Sequence, residues 1–234
     1  MLWQNSTTAV DILAYAPYQE TTEDANGKVN VFGKTDYAFS VKEDQSNAED
    51  YSSDLIVYKK TGFKPGTELN TSKAVDVTFT HLLSQLNLTI ELRDQFNQDE
   101  KKPVTSATVT DVKVDGTLIR SKVNFAADPI SVQFDGMASK AITPETVAFT
   151  KADKTTDHAT FKYSAIVIPQ KVIAGQLCIK FKVDGTDYIW TGTDNALFES
   201  GKKYELHLLV GKDVVQGGAI SAKPWGEETI TEKE

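Results

Sequence analysis

Three histidines, one cysteine and a surplus of carboxylates are the residues of this 234-residue chain that could carry chemistry. His81, His158 and His207 lie far apart, and none forms a zinc-binding pair on a helix or neighbours a nucleophile motif. His81 continues the apolar phase of Val75, Val77 and Phe79, which gives it a hydrogen-bonded place in or beside a core. His207 falls opposite the apolar face of its strand and reads as solvated, and His158 lies in a polar loop. Cys178 alternates out of phase with Leu177, Ile179 and Phe181; with no histidine partner in view it reads as an inert thiol. A single cysteine also excludes an intrachain disulfide framework and a multi-cysteine zinc site. Asp24-Ala25-Asn26-Gly27 has the opening of a calcium loop but not its later ligands, so it reads as a turn. Gly217-Gly218 lacks the lysine and helix of a phosphate loop. A glycosidase needs two carboxylates across one cleft, and spacing along a β-rich chain does not show which of the many converge. No catalytic, metal or cofactor residue is assigned, and the chain is read as a non-enzyme without cofactors.

The elements that would position these residues are strands. Val75, Val77 and Phe79 alternate with polar neighbours, and Leu86, Leu88, Ile90 and Leu92 do the same in the opposite phase. A strand turns successive side chains to opposite faces, so the phase change predicts a bulge, bend or turn between His81 and Gln85. Leu177, Ile179, Phe181 and Val183 share a face, Asp184-Gly185 supplies a turn that tolerates positive φ, and Tyr188 to Trp190 returns as a hairpin. Tyr204, Leu206, Leu208 and Val210 form the next strand, ending at Gly211. Further strands are expected at Val10 to Ala16, Asp54 to Tyr58, Ala107 to Val114, Lys122 to Ala126, Ser131 to Phe134 and Phe161 to Ile168. Thr80 to Leu86 and Asn195 to Glu199 each have room for one turn of helix, too little for a helical layer.

Many short strands between turn signals predict an all-β protein of antiparallel sandwiches. The polar stretch Lys59 to Lys73 suggests a boundary between residues 1–73 and 74–234. The second part has strands enough for a complete sandwich, whereas the first offers only about three and is expected to be incomplete. Hydrophobic residues at 40% mark a globular chain. A net charge of -8 and a pI near 5.0 argue against a nucleic-acid surface. The local pair Lys101 and Lys102 sits beside Asp99 and Glu100 and reads as a solvated loop. No run is long enough to cross a bilayer, and Met1 to Val10 holds neither a basic n-region nor a long apolar h-region. That start is expected for a cytoplasmic chain or for a trimmed piece of a longer one.

Several strings point further: YSAIVIPQ, FESGKKYELHLLV and ISAKPW near the end, VDILAYAPY and SDLIVYKK in the first part, and VDVTFTHLLSQLNLTIEL between them. In this order they resemble the fimbrillin family, pilin-like surface subunits of Bacteroidetes. The shared features are an apolar strand ending in Pro-Gln, a Gly-Lys-Lys-Tyr turn, an Asp-Leu-hydrophobic-Tyr strand, a His-x-Leu-Ser centre and an isoleucine shortly before a tryptophan. The resemblance implies two transthyretin-like β-sandwiches in tandem. It also implies a lipoprotein signal, a leading strand removed during assembly, and a place on the cell surface or outer membrane. The family's lipidation cysteine has no match here. Neither does the arginine-dependent processing site of some relatives, since the only arginines are Arg93 and Arg120.

Such a subunit is expected to act by association. A sandwich lacking a strand exposes an apolar groove and unpaired backbone groups that a strand from the next subunit can fill. The segment Val214 to Glu234 is a candidate donor, with Ile220, Ala222 and Trp225 as assembly contacts; alternatively, Ile220 and Trp225 close their own domain's core. Expected partners are other fimbrial subunits, together with host or bacterial surface glycans or proteins. No nucleic acid is expected, and a membrane is met only through a lipid anchor absent from this chain. The alternative reading is a carbohydrate-binding β-sandwich surface lipoprotein in which Trp3, Trp190 and Trp225 offer aromatic platforms.

Overall fold

The computed structural model describes residues 5–18, 31–98, 101–137, 139–154, 156–226 and 228–229. Strands dominate it. The first are β1 (Val10–Ala16), β2 (Tyr37–Ser40), β3 (Ile56–Phe63) and β4 (Thr78–His81). There follow β5 (Ser84–Leu92), β6 (Val109–Asp115), β7 (Arg120–Asn124), β8 (Ser131–Phe134) and β9 (Glu145–Thr150). The next group is β10 (Ala159–Val167), β11 (Gln170–Val172), β12 (Cys178–Val183), β13 (Thr186–Thr191) and β14 (Ala196–Phe198). The last are β15 (Lys202–Gly211), β16 (Val214–Gly217), β17 (Ser221–Pro224) and β18 (Glu228–Thr229). Helix among the described residues is confined to the turns Pro65–Glu68, Tyr51–Ser53 and Asp94–Phe96. Asn195 to Glu199, where a helical turn had room to form, holds β14 instead: Ala196 and Phe198 are buried and alternate with exposed Leu197, a period of two that only a strand supplies.

The largest sheet runs β16-β15-β5-β10-β9, with β17 also on β15. Its centre explains itself: β5 buries Leu86, Leu88, Ile90 and Leu92 on one face and half-exposes Gln85, Asn87, Thr89 and Glu91 on the other. The other sheets are β1-β3-β4-β18, β13-β12-β6, β2-β7-β8 and the pair β11-β14. Strands from all five contribute to one cluster of buried side chains, from Tyr37 and Phe39 through Ile90 and Phe161 to Phe181, Phe198 and Leu208. The architecture is thus an all-β sandwich fold. Among the described residues every paired strand is antiparallel to its neighbour except β15 and β5, which run parallel from Lys202↔Ser84 to Val210↔Leu92.

The phase change near His81 is a bend at which the chain leaves one sheet for another: β4 pairs with β3, while β5 begins three residues later between β15 and β10. The hairpin of β12 and β13 turns through Asp184 at φ 51° and Gly185 at φ 83°, which matches strand twist in a two-residue loop. Residues 1–73 contribute β1, β2 and β3 among the described residues, and later strands complete their sheets. β3 pairs with β4 through Ile56↔His81, and β2 pairs with β7 from Tyr37↔Val123 to Ser40↔Arg120. Lys59 of β3 adds a tie by donating to the carbonyls of Phe125 and Ala127, each at 2.9 Å.

Candidate assembly surface

Four of the strings singled out in the sequence, SDLIVYKK, VDVTFTHLLSQLNLTIEL, FESGKKYELHLLV and ISAKPW, meet at one junction, the bend between β4 and β5. Asp54, ahead of β3, holds His81 Nδ1 at 2.9 Å, and the next carbonyl, of Leu55, accepts the Leu82 N–H at 2.9 Å. The Glu199-Ser200-Gly201 turn docks from the other side. Ser200 Oγ donates to the Leu82 carbonyl at 2.7 Å, the Gly201 N–H to the Leu83 carbonyl at 2.9 Å, and Ser84 Oγ to the Glu199 carbonyl at 2.8 Å. The Tyr204 hydroxyl accepts the Glu199 N–H at 2.8 Å, which closes the turn that launches β15. Gly201 sits at φ 69°, a conformation that favours glycine, and an added Cβ would lie 3.2 Å from the His81 carbonyl.

The segment after β17 is fastened to this junction by Trp225. The Trp225 N–H donates to the Gly201 carbonyl at 2.9 Å, its indole stacks on the His81 ring with centroids 3.8 Å apart and planes 8° from parallel, and Lys203 Nζ lies 5.3 Å from the indole centroid. Between β15 and this latch the tail runs antiparallel along the outer edge of β15. β16 pairs with Leu208 to Gly211, and β17 pairs with Lys202 to Glu205. The two halves differ. β16 and the residues after it place Val215 and Ile220 against the core, whereas all four residues of β17 are exposed. β17 is held by its backbone ladder and the latch, and the chain beyond the latch by the pairing of β18 with β4.

The expected contact residues therefore occupy three different settings. Ile220 packs on the core, Ala222 is exposed opposite Tyr204, and Trp225 is the latch. Ile220 also lines a groove of about 780 Å³ between the tail and β13, walled by Leu177, Trp190, Tyr204 and Val215 and rimmed by Asp194 and Asn195. Gly217 is where the tail meets the indole of Trp190; a Cβ there would sit 2.1 Å from its Nε1, so only glycine permits the approach. As for aromatic platforms, the ring of Trp225 already has His81 as a stacking partner. Trp3 and Asp24 to Gly27 lie outside the described residues.

Sequence reasoning missed a polar cluster that two of the histidines build. Glu91 Oε2 is 2.6 Å from His207 Nε2, and Glu91 Oε1 contacts His158 Nδ1, so β5, β15 and the approach to β10 share one carboxylate. The parallel pairing of β15 with β5 creates it, which no local pattern announces. Burial pushes the Glu91 carboxyl up, but the His158 hydrogen bond and the charges of His207 and His158 together outweigh burial and leave it below the usual carboxylate range. A folded-state value below the unfolded one stabilises the protein at pH above the unfolded value of 4.5, and that contribution is lost as pH falls through the folded value. Glu91→Gln is expected to cost about 1 kcal/mol near neutral pH. The difference from wild type should shrink toward zero in acid, as urea midpoints measured across the pH range will show.

The conspicuous surface feature of this β-sandwich is thus a C-terminal tail laid along the edge of β15. The chain belongs to the fimbrillin-like family, whose model matches residues 1–225. No curated protein matches it by sequence. Among solved structures it resembles a candidate cell adhesion protein from Bacteroides uniformis at 20% identity and TM-score 0.60, covering 94% of this chain and 74% of that one. A second candidate cell adhesion protein, from Bacteroides ovatus, matches at 13% identity and TM-score 0.65 over 95% of this chain and 69% of its own. These two likenesses show the fold. The fimbrial anchor protein Mfa2 from Porphyromonas gingivalis aligns at 8% identity and TM-score 0.43, over 92% of this chain and 74% of that one.

Proposed function

We propose that this protein is a cell-surface subunit of a fimbrium, or an adhesin, and that it acts by strand addition between copies. Family membership supports the general reading, and one observation carries the mechanism: β17 lies on β15 with every residue exposed. Leaving home costs the tail the β17 ladder bonds, the Trp225 latch and the short β18 pairing on β4, but little apolar burial by β17 itself. A vacated β15 then presents the row of backbone groups that an identical tail fits, so one copy's tail can complete the next copy's sheet. Because donor and acceptor are different surfaces, the contact is head-to-tail and propagates as a filament. Ile220, with its place in the groove beside Trp190, would set the register of the incoming tail, and Trp225 would fasten it on the acceptor's His81.

In this reading the partners are other fimbrial subunits along the filament and surface glycans or proteins at its target, on the outer face of the outer membrane. A membrane is met through a lipid anchor outside the residues described above. Electron microscopy and adhesion assays of cells with and without the gene test the reading. Loss of filaments or adhesion in the deletion strain is the expected result, and unchanged filaments together with unchanged adhesion would count against it.

A further inference from the structure

Two glycines of the tail, Gly218 and Gly226, have no need to be glycine in the folded conformation. The other described glycines either have φ between 68° and 90° or would bring an added Cβ to within 3.3 Å of a neighbouring atom. Gly218 and Gly226 do neither. A Cβ on Gly218 would meet the His207 carbonyl at 3.9 Å, an ordinary contact, and one on Gly226 would meet nothing within 4 Å. Alanine fits at both positions and would restrict the chain more. What glycine supplies there is backbone freedom that the closed structure does not use.

The two positions bracket one segment. Before it, β16 pairs with Leu208 to Gly211, Val215 packs on the core, and the Gly218 N–H extends the ladder by donating to the His207 carbonyl at 3.0 Å. There the pairing breaks. β17 resumes it only on Lys202 to Glu205, so Gly218, Ala219 and Ile220 span the two β15 positions Leu206 and His207, an extra residue of the kind that makes a bulge. After the segment, Gly226 separates Trp225 from β18, which pairs with Thr78 and Phe79 of β4. Between the glycines the chain has one anchor near each end, Ile220 on the core and Trp225 on His81, with the exposed ladder of β17 in the middle.

We infer that Ala219 to Trp225 is a strap hinged at Gly218 and Gly226, which lifts off β15 as a unit while β16 and β18 stay in place. Its purpose rests on the assembly reading above. A lifted strap bares the edge from Lys202 to Glu205 and withdraws Ile220 from the groove beside Trp190, so the copy becomes an acceptor for a second copy's strand. Accepting needs no parting of β18 from β4. Donating the tail takes that further step, so the closed strap guards the acceptor edge and opens at a lower cost than full release.

Amide hydrogen exchange of the monomeric protein tests the hinges. The Trp225 amide, bonded to the Gly201 carbonyl, reports the strap, and the Gly218 amide, bonded to the His207 carbonyl, reports the frame it leaves behind. Relative to their intrinsic rates, Trp225 should exchange faster than Gly218 in the wild-type protein. Gly218→Ala and Gly226→Ala should each slow exchange at Trp225 by about threefold, because alanine removes freedom that the chain gains on lifting. Both variants keep the fold, since neither new methyl group is crowded. Equal exchange at Trp225 and Gly218, or alanine variants that leave Trp225 unchanged, would overturn the strap. Filaments are not read in this experiment, so its failure leaves the assembly reading standing, and a protein that never assembles would still show the hinges.

Discussion

Replacing Gln170 with leucine is expected to lower the stability of the fold by about 3 kcal/mol, the cost of three buried or part-buried backbone groups losing their partners at once. Gln170 is 7% exposed. Its Oε1 accepts the Leu118 N–H at 2.9 Å, and its Nε2 donates to the Leu118 carbonyl at 3.1 Å and the Ile168 carbonyl at 3.0 Å. The carboxamide pairs with Leu118 as a strand residue would, in a place where no strand runs. Leucine fills similar volume and offers nothing to these groups, of which the Ile168 carbonyl is buried and the Leu118 N–H and carbonyl are part-buried. A clear fall in the urea midpoint is the expected result. This is the physical content of the Pro-Gln ending of the β10 string. Gln45 repeats the device at β10 itself, accepting the Ile166 N–H at 2.7 Å and donating to the Ile166 carbonyl at 3.0 Å.

The second large effect is local. Trp225→Ala removes the stack on His81 and the contact with Lys203, together worth about 2 kcal/mol, while touching nothing in the core. That energy holds only the tail, so the global midpoint should hardly move. Amide exchange over Ser221 to Trp225 should accelerate by roughly 30-fold, because 1.4 kcal/mol is a factor of ten. A variant whose tail stays as protected as wild type would show that the ladder on β15 suffices without the latch. If strand addition operates, the same variant assembles differently from wild type, since the latch is needed both to stay home and to hold on abroad.

The sequence made some of this visible for definite reasons. The alternation of Leu86 to Leu92 sits in the middle of a sheet with one face buried, where a period of two has nowhere to hide. Asp184-Gly185 joins neighbours in sequence that are also neighbours in space. Strand partners distant in sequence were not legible. Nothing around Tyr37 announces Val123, and nothing in His207 announces Glu91, because the ladder that joins them depends on order in space and not on local composition. β16 and β17 escaped for another reason: with β17 exposed throughout, no apolar alternation marks it. The family-like strings were legible as strings, and their meaning was not. Asp54, His81, Ser200, Gly201 and Trp225 each look ordinary until the fold brings them to one bend.

The central claim is that the tail leaves β15 to assemble. The Trp225 N–H bond to Gly201 marks 201 and 225 as a hydrogen-bonded pair, so Lys202 and Pro224, the next pair, are of the closer, non-bonded kind. Their Cα separation of about 4.5 Å accepts a disulfide. Lys202→Cys with Pro224→Cys, in a Cys178→Ser background, locks the tail at home when oxidised and frees it when reduced. Incubated at equal concentration and followed by native gel laddering and electron microscopy, the reduced protein should form ladders and filaments and the oxidised protein should stay monomeric. Equal laddering in both forms, or none in either, would contradict assembly through this strand.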